Sequence, residues 1–199
     1  MVLDVPPPSG ILGTIDDMWW GWVTDFGVPG PDRSEGGRYL IVGPDYDGLL
    51  PDSGFHISRA RTTRVFILGR AFMIDNDPRP AVKAIRNGLR ISKYVPGSQG
   101  TAIATFLAGR APLAPLPQVP QTRFVEGSGV PVNTIPPNDF SYWEMVNGLV
   151  QQEPAGIADP EIMGLLAAVG IVKGKPFKPD GRMRKILEDA VVAGSVRSI

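Results

Sequence analysis

The sequence predicts an α+β protein: an antiparallel β sandwich or barrel-like N-terminal part with one helix, then a Pro-rich linker, then a small C-terminal helical part. Three observations carry this. Up to about residue 94, short apolar or alternating runs follow one another at short intervals between turn residues, the pattern of an antiparallel sheet. Glycine (24) and proline (21) are abundant among the 199 residues, which favours many turns over a helical bundle. Beyond residue 138 the period changes to i, i+3, i+4, i+7 stripes. The divisions fall at 1–94, 95–137 and 138–199.

Val2 to Val5 reads as a strand, stopped by Pro6-Pro7-Pro8, with no partner strand before it. Leu12 to Ile15 reads as a second strand. Asp17 to Val23 suits either a strand end or a single helical turn. Gly27 to Gly37 is a loop with proline and glycine turn chemistry, and Arg38 to Val42 is a strand. In Phe55-His56-Ile57-Ser58-Arg59 the alternation predicts Phe55 and Ile57 facing in and His56 and Ser58 facing out. Arg64 to Leu68 is nearly all apolar, as a strand covered on both faces would be.

Asp77-Pro78 predicts a helix start, with Asp77 as N-cap and Pro78 at N1. Val82, Ile85 and Leu89 form its packing face, and Gly88 is placed as a left-handed C-terminal cap. Residues 95–137 are proline-rich and loop-like, with a short helix near Thr101 to Ala108. Asn138 or Asp139 caps a helix through Val150 that buries Trp143 and Val146. Asp159-Pro160 repeats the cap-and-proline device ahead of Ile162, Leu165, Leu166 and Val169, ended by Gly170. Met183, Ile186, Leu187, Ala190 and Val191 form the stripe of a last helix.

Several chemistries are excluded outright. Twenty basic and twenty acidic residues balance, so no net charge favours nucleic acid. Without cysteine there is no disulfide or thiolate chemistry, and one histidine, His56, cannot build a histidine-cluster metal site. No cofactor motif occurs. Pro96-Gly97-Ser98-Gln99-Gly100 lacks the first glycine of a nucleophile elbow, and Lys173-Gly174-Lys175 lacks the spacing of a phosphate loop. No apolar run reaches the roughly 20 residues of a membrane span. The N-terminus has no basic region or signal-peptide core.

The richest stretch runs from Gly13 to Pro44, with Trp19, Trp20 and Trp22 beside Asp16, Asp17, Asp25 and Asp32. In an extended segment these tryptophans cannot all face one core, because alternate side chains point opposite ways. The candidate ligand-binding residues are therefore Trp19, Trp22, Asp25, Asp32 and Arg33, with rings to stack and carboxylates to orient hydroxyls.

Asp17-Met18-Trp19, the glycine-rich loop, and Gly37-Arg38-Tyr39-Leu40-Ile41-Val42-Gly43-Pro44 resemble the bacterial domain of unknown function 1254. The resemblance continues in Arg61–Arg70, Gln152-Glu153-Pro154 and Gly170–Phe177. It implies an upstream strand and, after the last helix, a second domain of unknown function numbered 1214. The chain then reads as a fragment of a two-domain protein whose missing strand and domain are its partners, and whose open faces invite homo-oligomers. Relatives are often exported from the bacterial cytoplasm. Two functions stay open: an uncharacterised module of a larger protein, or a hydrolase acting on a sugar or ester through an aspartate–tryptophan groove.

Overall fold

The computed structural model describes residues 1–8, 10–111 and 136–197. The chain divides into two compact units, Met1–Val125 and Glu126–Ile199. Most of the expected linker, residues 112–135, lies outside the described residues.

The first unit holds β1 (Val2–Val5), β2 (Ile11–Asp17), β3 (Trp22–Gly27), β4 (Gly37–Val42), β5 (His56–Arg59), β6 (Val65–Ala71), α1 (Arg79–Lys83), β7 (Arg90–Ser92) and α2 (Ile103–Leu107). They form a four-stranded sheet, β5-β4-β1-β7, and a three-stranded sheet, β3-β2-β6. All pairings are antiparallel except β4 with β5. The inner faces share one core: Leu3, Val5, Tyr39 and Ile41 from the first sheet meet Ile11, Ile15 and Phe26 from the second. The fold is α+β with a sandwich-like N-terminal part, as the short strand spacing predicts.

Alternation gives each strand its two faces, and register decides which face is inner. Tyr39 pairs with His56 and Leu40 with Ile57. Tyr39 belongs to the inter-sheet core, so His56 shares the inner side and its ring lies tilted against the Tyr39 ring, centroids 4.9 Å apart. Ile57 is 42% exposed. This corrects the expected phase of β5. Leu40, Val42 and Val2 lie on the opposite face, which Tyr94, Tyr46 and Phe55 cover.

Three further expectations are corrected. Strand β1 is not short of a neighbour: β4 and β7 flank it on both sides. Strand β6 is covered on one face only, leaving Phe66 and Leu68 exposed. Gly88 does not adopt a left-handed conformation; a Cβ there would stand 2.4 Å from Pro6 Cγ, so close approach is its reason. Helix α1 starts at Arg79, whose N–H donates to the Asp77 carboxylate, and continues as a π-helical turn, Ala84–Gly88. Val82 stays exposed, while Leu89 is buried and Ile85 packs on the core.

Phe26 fills the middle of the sandwich because its neighbours have no side chains. It pairs with Gly13, which in turn pairs with Gly69, and a Cβ on Gly13 would fall 2.1 Å from the Phe26 ring. The ring thus lies across two strands at once.

The second unit holds α3 (Ser141–Gln152), α4 (Pro160–Ala168) and α5 (Gly181–Arg197). Asp159 accepts the Glu161 N–H at 2.7 Å with Pro160 opening α4, as the sequence predicts. Asp139 similarly accepts from Ser141 at the start of α3. Val150, Ile171, Leu187 and Val191 form the buried side. Trp143 is half-buried and its indole N–H donates to the Leu187 carbonyl at 2.9 Å. The α4 stripe is not buried as a whole: Ile162 and Leu165 are exposed. Lys173 Nζ donates to the carbonyls of Val150, Gln151 and Glu153. A cation here satisfies carbonyls left open at the end of α3 and favours its dipole. Two segments that carried the resemblance, Gln152–Pro154 and Gly170–Phe177, therefore meet at one helix end.

Candidate functional site

The hairpin of β2 and β3 turns through Met18-Trp19-Trp20-Gly21, which settles the ambiguous stretch as a tight turn. Buried Asp17 organises it. One carboxylate oxygen accepts the N–H groups of Trp19 and Gly21, both at 2.8 Å, and the other receives Arg61 at 2.7 Å. Met18 N–H donates to Thr62 Oγ1. A Cβ at Gly21 would lie 1.8 Å from the Arg61 guanidinium and would displace it from Asp17.

Trp20, next to it, has φ +58°. A bulky residue in the left-handed region is strained by roughly 1–3 kcal/mol and persists only where its surroundings hold it there. Here the Asp17 carboxylate and two turn hydrogen bonds, Trp20 N–H to Asp17 O and Asp17 N–H to Gly21 O, hold it. The indole is nevertheless 75% exposed and lies 5.3 Å from the Phe66 ring.

Register places the residues of the outer face of the second sheet in rows. Trp22, Asp16 and Phe66 form the first, Asp25, Thr14 and Leu68 the second, Gly27, Leu12 and Arg70 the third. Successive rows are about 7 Å apart, two residues along a strand. Trp22 is 67% exposed, Leu68 43% and Phe66 41%. A shallow depression of about 180 Å³ lies over the second and third rows, lined by Leu12, Thr14, Asp25, Pro29, Leu68 and Arg70. That is below the roughly 300–1,000 Å³ of pockets that enclose a ligand.

The five candidate residues divide. Trp22 and Asp25 share this outer face. Trp19 sits in the turn, half-buried, with its indole nitrogen enclosed and unpartnered among the described residues. Asp32 is buried on the inner side, where Oδ1 accepts the Gly27 N–H at 2.7 Å and the Tyr39 hydroxyl. Arg33 is exposed beside it at φ +45°. The Tyr39 hydroxyl is held well above the ordinary phenol range, by burial first and then by its bond to Asp32. Sequence reasoning passed over Trp20 and Phe66. The signal for Trp20 was the displaced glycine, which stands one position after the residue whose backbone needs it.

Among the described residues no group of three His, Asp or Glu side chains is placed to hold a metal ion, and no helix is long and apolar enough to cross a membrane.

A two-sheet sandwich with a ring-bearing outer face defines the class of this first unit. Residues 1–93 match the model of the family described as "Protein of unknown function (DUF1254)", so the motif resemblance holds over the sandwich. Among solved structures, the VPA0106 protein from Vibrio parahaemolyticus is similar in fold, with a TM-score of 0.57 and 18% identity. The alignment covers 98% of this chain and 44% of that one, so this chain spans under half of its length. No curated protein matches.

Proposed function

We propose that this chain serves as a non-catalytic module of a longer protein. The observation that carries this reading is how the aspartates of the aromatic stretch are used. Asp17 and Asp32 are buried and hold the backbone of their own turns. Asp25 lines a depression too shallow to shut out water. Hydrolysis of a glycosidic bond needs one carboxyl group kept protonated by its surroundings and a second one facing the same bond. The greater length of the Vibrio protein supports a place within a larger chain.

Asp16 and Asp25 are the pair on which a hydrolase would have to rest. They lie on adjacent strands of the same face, in neighbouring rows. The test is turnover of a panel of aryl glycosides and aryl esters by the parent, Asp16→Asn and Asp25→Asn. The module reading expects no turnover above buffer in any of the three. Turnover by the parent that either substitution abolishes would establish the hydrolase instead.

A further inference from the structure

We infer that Trp20, Trp22 and Phe66 form a surface platform that binds a neutral oligosaccharide, with Asp16, Asp25, Thr14 and Arg70 addressing its hydroxyl groups.

The first support is the way Trp20 is held. A glycine at this position would relieve its backbone, yet the chain has tryptophan here and glycine one residue later. A buried carboxylate and a guanidinium fix the turn, and its product is an indole displayed to solvent beside Phe66. Folding gains little from an exposed ring in a strained conformation. Strain kept in place by its surroundings, at a displayed side chain, is a mark of function.

The second support is the composition of the face. Two rings flank an acid in the first row, and a second acid, a hydroxyl and a guanidinium lie in the two rows beyond it. Sugars have this mixed character, with C–H faces that pack on rings and hydroxyls that both donate and accept. The patch has polar groups of both signs, which suits a neutral polyol better than an ion. It is also shallow and open, as a chain longer than one ring requires.

The position of Asp16 weighs against a protein surface as the occupant. It lies in the first row between Trp22 and Phe66, half-buried, accepting from Thr14 Oγ1 at 3.4 Å. An apolar partner would close over that carboxylate at the centre of the contact, where charged residues are depleted and unpaired charges are costly. A sugar hydroxyl would donate to it.

The inference rests on the module reading in one respect: the sugar is held and not cleaved. The experiment uses the 199-residue chain, titrated with cello-, xylo-, malto- and chito-oligosaccharides. Tryptophan fluorescence and calorimetry serve as readouts, and melting midpoints are taken in parallel. At least one sugar should bind and shift the emission. Trp22→Ala should weaken that binding about tenfold, the value of one ring contact. Trp20→Gly should weaken it similarly while leaving the melting midpoint unchanged or higher, because the strain is relieved. Failure of every sugar to bind overturns the platform. So does binding that both variants leave intact, or a Trp20→Gly melting loss as large as a core deletion. A dimer of the parent that Trp20→Gly dissolves would assign the face to a second copy instead. Cleavage of a bound sugar would sink the module reading and leave the platform standing.

Discussion

The Tyr39 hydroxyl donates to the Asp32 carboxylate inside the sandwich, across seven residues of glycine-rich loop, and the same oxygen accepts the Gly27 N–H. The loop is therefore fastened at its start, middle and end by one buried acid. Tyr39→Phe removes the donor and keeps the ring, leaving the acid short of a partner. We expect a loss of about 2 kcal/mol, the usual penalty for a buried polar group that loses its hydrogen bond. Urea unfolding of parent and variant measures it; equal midpoints would show that the bond contributes nothing.

Tyr39, Tyr46 and Tyr94 all have phenols raised above their ordinary range, each chiefly by burial. Asp32, Asp47 and Tyr46 respectively add to it. A raised pKa means that the folded state favours the neutral form. Above about pH 10 the unfolded chain releases these protons and the folded chain keeps them. The stability they contribute is thus complete below that pH and lost as pH rises beyond it. Melting midpoints between pH 8 and 12 should fall steeply past 10, and less steeply in Tyr39→Phe.

Gly21 and Arg61 act as one device, since a methyl at Gly21 would occupy the place of the guanidinium that reaches Asp17. Gly21→Ala and Arg61→Ala should each lower stability by about 2 kcal/mol, because Asp17 loses its cation. The double variant should lose little more than either single one. A sum of the two losses would mean that they act independently.

Lys173→Met should weaken the second unit. Three carbonyls at the end of α3 lose their donor. The expected loss is about 1 kcal/mol, the scale of a cation at a helix C-terminus. Fraying of α3 would show as faster amide exchange in its last turn.

Elements with strong local signals were legible in the sequence. Prolines stop β1, and the Asp159 cap announces α4 through a hydrogen bond made within two residues. Features that depend on a distant partner were not. Alternation in His56–Arg59 gives the period, whereas its phase comes from β4, so Ile57 was assigned the wrong side. The three residues of β7 carry too short a pattern to be seen, and without β7 the strand β1 looked unpaired. The candidate site was legible as a concentration of rings and acids. Its division was not, because Asp25 and Asp32 look alike in sequence, and the Tyr39 hydroxyl is what draws one of them inward.

The place of β1 sets a timetable for folding. Its two neighbours are β4, which begins at Gly37, and β7, which ends at Ser92. Val2–Val5 must therefore wait until Ser92 has been made before its sheet can close. Meanwhile the β2–β3 hairpin, complete by Gly27, can form locally. Long-range closure of this kind slows folding and leaves a nascent strand uncovered. The β2–β3 hairpin is thus the natural nucleus, and a chaperone that shields Val2–Val5 would act on a strand made well before both of its partners.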